Sequence, residues 1–178
     1  MTTFRFSPIK NKTELFDAIT YLHFTAHKLL KQTLGYLLPV SGNVGVFCHF
    51  EDEFTRLIEI RNELTDLNDN WNQKYFRLYN PIIIPAKANI PETRYTCLYI
   101  RKPEAIHTHV GDVDFYLEPI KYKKLKKSLQ SGKVIEGVSI FDRPDLDLIK
   151  ISDPDIDVSV FVGMYQMEKI LKNDKIFQ

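Results

Sequence analysis

Leu15, Ile19, Leu22, Ala26, Leu29, Leu30, Thr33 and Leu37 recur at the spacing of one helix face, whereas most apolar runs beyond residue 75 are short or alternate with polar residues. That change of period constrains the fold more than any other feature. Asn11 with Glu14 three residues on forms a helix-capping pair. The spacing therefore predicts a long amphipathic helix from there to Gly35–Pro39. "VSGN" (Val40 to Asn43) reads as a turn, and "VGVFCHF" (Val44 to Phe50) as a buried strand. Glu51, Asp52 and Glu53 open a second helix, continued by Phe54, Leu57, Ile58, Arg61 and Leu64. Three acids in a first turn complement the helix dipole.

After a polar loop from Asp66 to Lys74, strands are expected at Tyr75–Ile84, Thr93–Lys102 and Val110–Leu117, with Pro81, Pro85 and Pro91 interrupting the first two. Ile120–Gly132 reads as a short helix closed by its glycine. Val134–Phe141, Leu146–Ile151 and Ile156–Val162 are further strands, and Met164–Lys172 a last helix. Strands outnumber helices and do not alternate with them. The expectation is one α+β domain over residues 1–178, with a largely antiparallel or mixed sheet, helices on one face, and three to four helices of which the N-terminal is longest.

At 178 residues, such a chain buries roughly 70% of its unfolded surface. A formal net charge of +1 supplies no global field for nucleic acid or an anionic membrane, so neither is an expected partner. Cys48 and Cys97 lie in apolar runs and read as buried free thiols of a reducing compartment. With no signal-like or membrane-length apolar stretch, the expected location is the cytoplasm.

Chemistry concentrates in "HTHVGDVDFYL" (His107 to Leu117). In a regular strand His107 and His109 point to one face, and Asp112 and Asp114 to the other. A bulge at Gly111 would reverse the parity and bring all four to one side as a nitrogen–oxygen site for a divalent metal. Asp112/Asp114, Asp145/Asp147 and Asp155/Asp157 also repeat an Asp-apolar-Asp unit, which on a strand presents two carboxylates to one ion. Over this short stretch "GDVDFYL" resembles the catalytic strand of nucleotidyltransferases, which implies Mg²⁺ held by Asp112 and Asp114. The upstream "KPEAIHTHV" lacks the Gly-Ser turn of those enzymes.

His23 and His27 share a helix face but read as boundary residues beside the apolar stripe. "HFT" at His23 to Thr25 is similar to the His-x-Thr of two-histidine phosphoesterases, but it occurs once where they carry two. "DLNDN" (Asp66 to Asn70) opens like a calcium loop and fails at Trp71 and Arg77, where glycine and glutamate are needed. Lys121, Lys123, Lys124, Lys126 and Lys127 form a basic cluster suited to phosphate or nucleic acid, or simply to a solvated face that the acids of Asp142–Asp157 neutralise.

With no complete catalytic signature, the sequence reads as a binding or interaction module. Tyr75, Phe76, Tyr79, Tyr95 and Tyr99 are candidates for a groove or a surface for self-association or a protein partner, with Trp71 nearby as a fluorescent reporter. The competing reading is a metal-dependent hydrolase or phosphotransferase using His107, His109, Asp112 and Asp114, with Glu104 or Glu118 as base.

Overall fold

The computed structural model describes residues 4–66, 75–143 and 146–167. Three helices and seven strands follow in the order α1 (Lys12–Leu34), β1 (Val40–Phe47), α2 (Glu51–Leu64), β2 (Phe76–Ile84), β3 (Thr93–Arg101), β4 (Gly111–Tyr116), α3 (Pro119–Gln130), β5 (Val138–Arg143), β6 (Leu146–Ile151) and β7 (Val158–Gly163). All the strands join one mixed sheet in the order β2-β3-β1-β4-β7-β6-β5. β1 runs parallel to β3 and β4 parallel to β7, while the other neighbours are antiparallel. The α+β expectation with a mixed sheet and the longest helix first is met. The expected last helix and the calcium-like loop fall mostly outside the described residues, as do Trp71 and Asp145.

α1 forms where its caps dictate. The Asn11 Oδ1 accepts from the Glu14 backbone N–H at 3.0 Å, and the Glu14 carboxylate accepts from the Asn11 side-chain amide at 2.9 Å. At the other end Gly35 adopts φ +84°, open to glycine at little cost, and its N–H reaches the Lys31 carbonyl. Glu53 exceeds its expected role in the helix dipole. Its buried carboxylate accepts the backbone N–H groups of Ile9 and His49, each at 2.8 Å, and the Ser7 hydroxyl. It thereby ties the N-terminal segment to the start of α2.

Register shows that α1, α2 and α3 cover the same face. Val44, Val113 and Val160 pair across β1, β4 and β7 and point toward α1, where the His27 ring meets Phe115. Arg61 of α2 lies 3.6 Å over the Phe76 ring, and Phe76 pairs with Leu98 on that same side. On α3, Tyr122 and Lys126 both reach Asp147, which alternates onto the face of Ile149. Between helices and sheet lies a core of Leu15, Ile19, Leu22, Leu30, Leu98, Phe115, Ile149 and their neighbours, all essentially inaccessible. Each such side chain contributes roughly 1.5–3 kcal/mol of burial.

Two expectations need correction here. First, the turn expected at "VSGN" is not one, and the bulge that a four-ligand metal site would have required does not occur at Gly111: β4 pairs without a break with β7 over its whole length. The register shift lies in β1 between Val40 and Val44, around Gly42 at φ +109°. "VSGN" therefore belongs to the strand, as its irregular start. Gly111 serves a different end, since a Cβ there would strike the Gly45 carbonyl and the Leu22 side chain.

Second, His23 and His27 are core residues, not boundary ones, at 0% and 2% exposure. Their rings meet edge to face at 4.5 Å, and His23 Nδ1 stands 2.9 Å from the Tyr95 phenol oxygen. Among the described residues neither nitrogen of His27 has a hydrogen-bond partner. Burial pushes both imidazoles down to about 4, with the neighbouring His27 adding to the effect on His23.

The unfolded chain titrates these histidines near 6.5 and the folded chain near 4, so between those values the unfolded state holds more protons. Their contribution is complete above the upper value and is lost as pH falls through the window, at roughly 3 kcal/mol per imidazole. His27→Leu should therefore shift acid unfolding to lower pH while leaving stability at neutral pH equal or higher, as circular dichroism would show. His23→Leu should cost about 1–3 kcal/mol at neutral pH by stranding the Tyr95 phenol. Gly111→Ala, which drives a methyl into backbone, should cost about 2 kcal/mol or more in urea denaturation.

Candidate functional site

The face of the sheet away from α1, α2 and α3 has a different chemistry. Pairing aligns Asn43 with Cys97, Gly45 with both Tyr99 and Asp112, Asp112 with Ser159, and Asp114 with Phe161. Alternation along β1, β3, β4 and β7 sends these residues to the side opposite α1, α2 and α3. Gly45 makes room there. Any Cβ at that position would collide with the Asp112 carboxylate and press on the Tyr99 ring, so the aspartate lies across the β1 backbone.

At the middle of this floor Asn43 Nδ2 donates to Asp114 Oδ2 at 3.0 Å, with Asn43 buried and Asp114 only 8% exposed. The Asn43 Oδ1 is buried and has no donor among the described residues. Burial raises the Tyr75 phenol far above its ordinary value, and the charges of Asp114 and Asp112 add to the effect. Tyr99 is raised too, first by burial and then by Asp112 against the opposing pull of Arg101. Tyr95, on the other side of the sheet, is raised by burial and by Asp114. These phenols stay protonated, so the floor combines hydroxyl donors with carboxylate and amide acceptors.

The metal constellation does not assemble. His107 and His109 lie in the turn before β4, and the uninterrupted register leaves Asp112 and Asp114 without the reversal that convergence requires. His107 Nε2 binds Glu104 at 2.9 Å, and Glu104 also receives Arg101 at 3.0 Å, which holds its carboxyl below the usual range. His109 is lowered by burial and by Lys150. Among the described residues no three His, Cys, Asp or Glu side chains come close enough to hold a metal ion. The structure thus unites Asp112 with Asp114 and separates both from the histidines as a ligand set.

The remaining candidates have structural partners. Asp157 accepts from the Tyr21 phenol at 2.5 Å and from Arg5 at 2.9 Å. Asp147 takes Tyr122 at 2.6 Å and Lys126 at 2.7 Å, while Asp153 accepts the Asp155 N–H within a turn. Glu118, considered as a base, caps α3. In the lysine cluster, Lys126 has this acidic partner, whereas Lys121, Lys123, Lys124 and Lys127 stand exposed. Both cysteines are buried, and neither is in a disulfide.

No family model and no curated protein matches this chain. Among solved structures, a structural-genomics target, Protein EC4020, aligns over 98% of this chain and 99% of its own, with a TM-score of 0.55 and 16% identity. The two share a fold. A Streptomyces coelicolor methylmalonyl-CoA epimerase in complex with 2-nitronate-propionyl-CoA aligns over 71% of this chain at a TM-score of 0.32 and 11% identity, covering 98% of its own length. At that level it carries no argument about this site.

Sequence reasoning missed Asn43, which looked like a turn residue, although Tyr75 and Tyr99 were flagged by their aromatic character. The signal for Asn43 was its separation by two from Gly45 on a run whose odd positions lack aliphatic side chains. The electrostatics are directly testable. Removing the charge in Asp114→Asn should lower the alkaline titration of Tyr75 and Tyr95, read by ultraviolet absorbance, although burial keeps both above exposed tyrosine.

Proposed function

We infer that this protein is a binding module whose sheet face opposite α1, α2 and α3 takes a small cationic ligand, a protonated amine being the simplest. One observation carries the reading: Asn43 presents a buried Oδ1 with no donor among the described residues, while its amide nitrogen is spent on Asp114. A buried acceptor left unmatched costs about 1–3 kcal/mol, so a bound donor gains by satisfying it. Two carboxylates on the same floor select positive charge, and the faces of Tyr75 and Tyr99 suit a cation further.

A second reading rests on the shared face of Asp112 and Asp114. Paired carboxylates also suit a divalent ion, and with one the module becomes a metal-dependent hydrolase or phosphotransferase. In that reading Asp112 and Asp114 are the ligands, and His107 and His109 serve at most through the turn above β4.

Calorimetric titration separates the two. Putrescine, agmatine and phenethylamine probe the amine reading, while Mg²⁺, Mn²⁺ and Zn²⁺ probe the metal reading. Saturable amine binding that weakens about tenfold or more in Asp114→Asn supports the first. Heat and a raised melting temperature with divalent ions alone transfer the assignment to the second. Silence with both classes removes the cationic site altogether.

A further inference from the structure

A second concavity lies on the helix side of the sheet, beyond the end of β4, between α3 and the connection from α1 to β1. It measures about 500 Å³, within the roughly 300–1,000 Å³ that small-molecule sites span. Leu37, Leu38, Leu117 and Leu125 line it, and Lys121, Lys124 and Lys133 stand around it with Tyr36. Among the described residues no aspartate or glutamate contributes to the lining. Among the described residues none of these three lysines is paired with a carboxylate, in contrast to neighbouring Lys126 on Asp147.

The geometry points to a binding site for a monomeric anionic amphiphile: an apolar chain laid along the leucines, with a carboxylate or phosphate head held by Lys121, Lys124 and Lys133. The lining sorts into two chemistries, as such a ligand does. α3 achieves this by its own period, because Lys121, Leu125 and Ser128 fall on one stripe of the helix with Lys124 beside them. Pro119 and the Glu118 cap fix where α3 starts and so fix which residues that stripe presents.

A bilayer fits the groove less well than a single molecule. Leu38 and Leu117 are recessed, at 9% and 4% exposure, and a flat surface cannot reach them. A chain entering the groove covers them and also shields Tyr36, which is 47% exposed at its edge. The site is independent of the aspartate floor: it lies on the opposite side of the sheet and selects the opposite charge.

The test uses the fluorescent fatty acid cis-parinarate, with competitors kept below their micellar concentrations. Saturable binding is expected, with displacement by dodecanoate or dodecyl phosphate but not by dodecyltrimethylammonium or dodecanol. The stronger of the two anions identifies the head group. Lys121→Glu/Lys124→Glu should weaken binding about tenfold or more, whereas Lys123→Glu, outside the groove, should leave it unchanged. Affinity in the unaltered protein should also fall with added salt. The proposal is overturned by absence of saturable binding, by equal displacement with the cationic amphiphile, or by an unaltered affinity after the double charge reversal. Binding confined to anionic vesicles, with none to the monomers, overturns it as well.

Discussion

The close approach of β1 and β4 at the centre of the sheet governs both faces of the molecule. Two glycines meet there in adjacent register positions, Gly45 opposite Asp112 and Gly111 opposite Val46, and so they open opposite sides. Gly111 lets Leu22 bring α1 down onto the strands, since any Cβ would strike the Gly45 carbonyl. Gly45 lets Asp112 fold across β1 toward Tyr99. One pairing of small residues thus seats the longest helix on one side and a carboxylate on the other. Packing and candidate chemistry depend on the same few ångströms.

Much of this was legible because the relevant signals are local. The Asn11–Glu14 box and the Gly35 terminus bound α1 without help from the rest of the fold. Alternation alone placed Asp112 and Asp114 on one side of their strand. The position of the bulge was not legible, for a physical reason. Tight turns and β-bulges both call for glycine in left-handed backbone, so "VSGN" looks the same as a turn before β1 and as an irregularity inside it. Gly111 invited the bulge, but it is glycine for want of space and not for want of a dihedral angle. Only the neighbouring strand reveals that difference.

The histidines failed as boundary residues for a related reason. A helical stripe read from sequence is as wide as its aliphatic residues, but α1 lies on β1, β4, β6 and β7 together and buries a broader arc than a helix resting on one partner. His23 and His27 fall inside that arc. Burial keeps their imidazoles neutral, so they pack as polarisable rings against Phe115 and Tyr95. Burial of the same kind has the opposite sense for Tyr75 and Tyr99, raising them and preserving their hydroxyl protons. A neutral form is favoured in each case, and the carboxylates of Asp112 and Asp114 are the acids aligned with that phenol-bearing floor.

That leaves a question of charge which composition hid. A formal net charge of +1 suggests an electrostatically indifferent surface, yet the sum is taken over groups that the fold separates. Asp112 and Asp114 gather on the floor opposite α1, α2 and α3, and Lys121, Lys124 and Lys133 around a leucine-lined groove on the other side. The β-sheet between them is low-dielectric material, and charges across it are poorly placed to neutralise one another. Each region therefore acts on its own surroundings, which is why one is proposed to take cations and the other anions with an apolar tail. Any ligand spanning both would have to pass the edge of the sheet, so the two sites are best understood as separate.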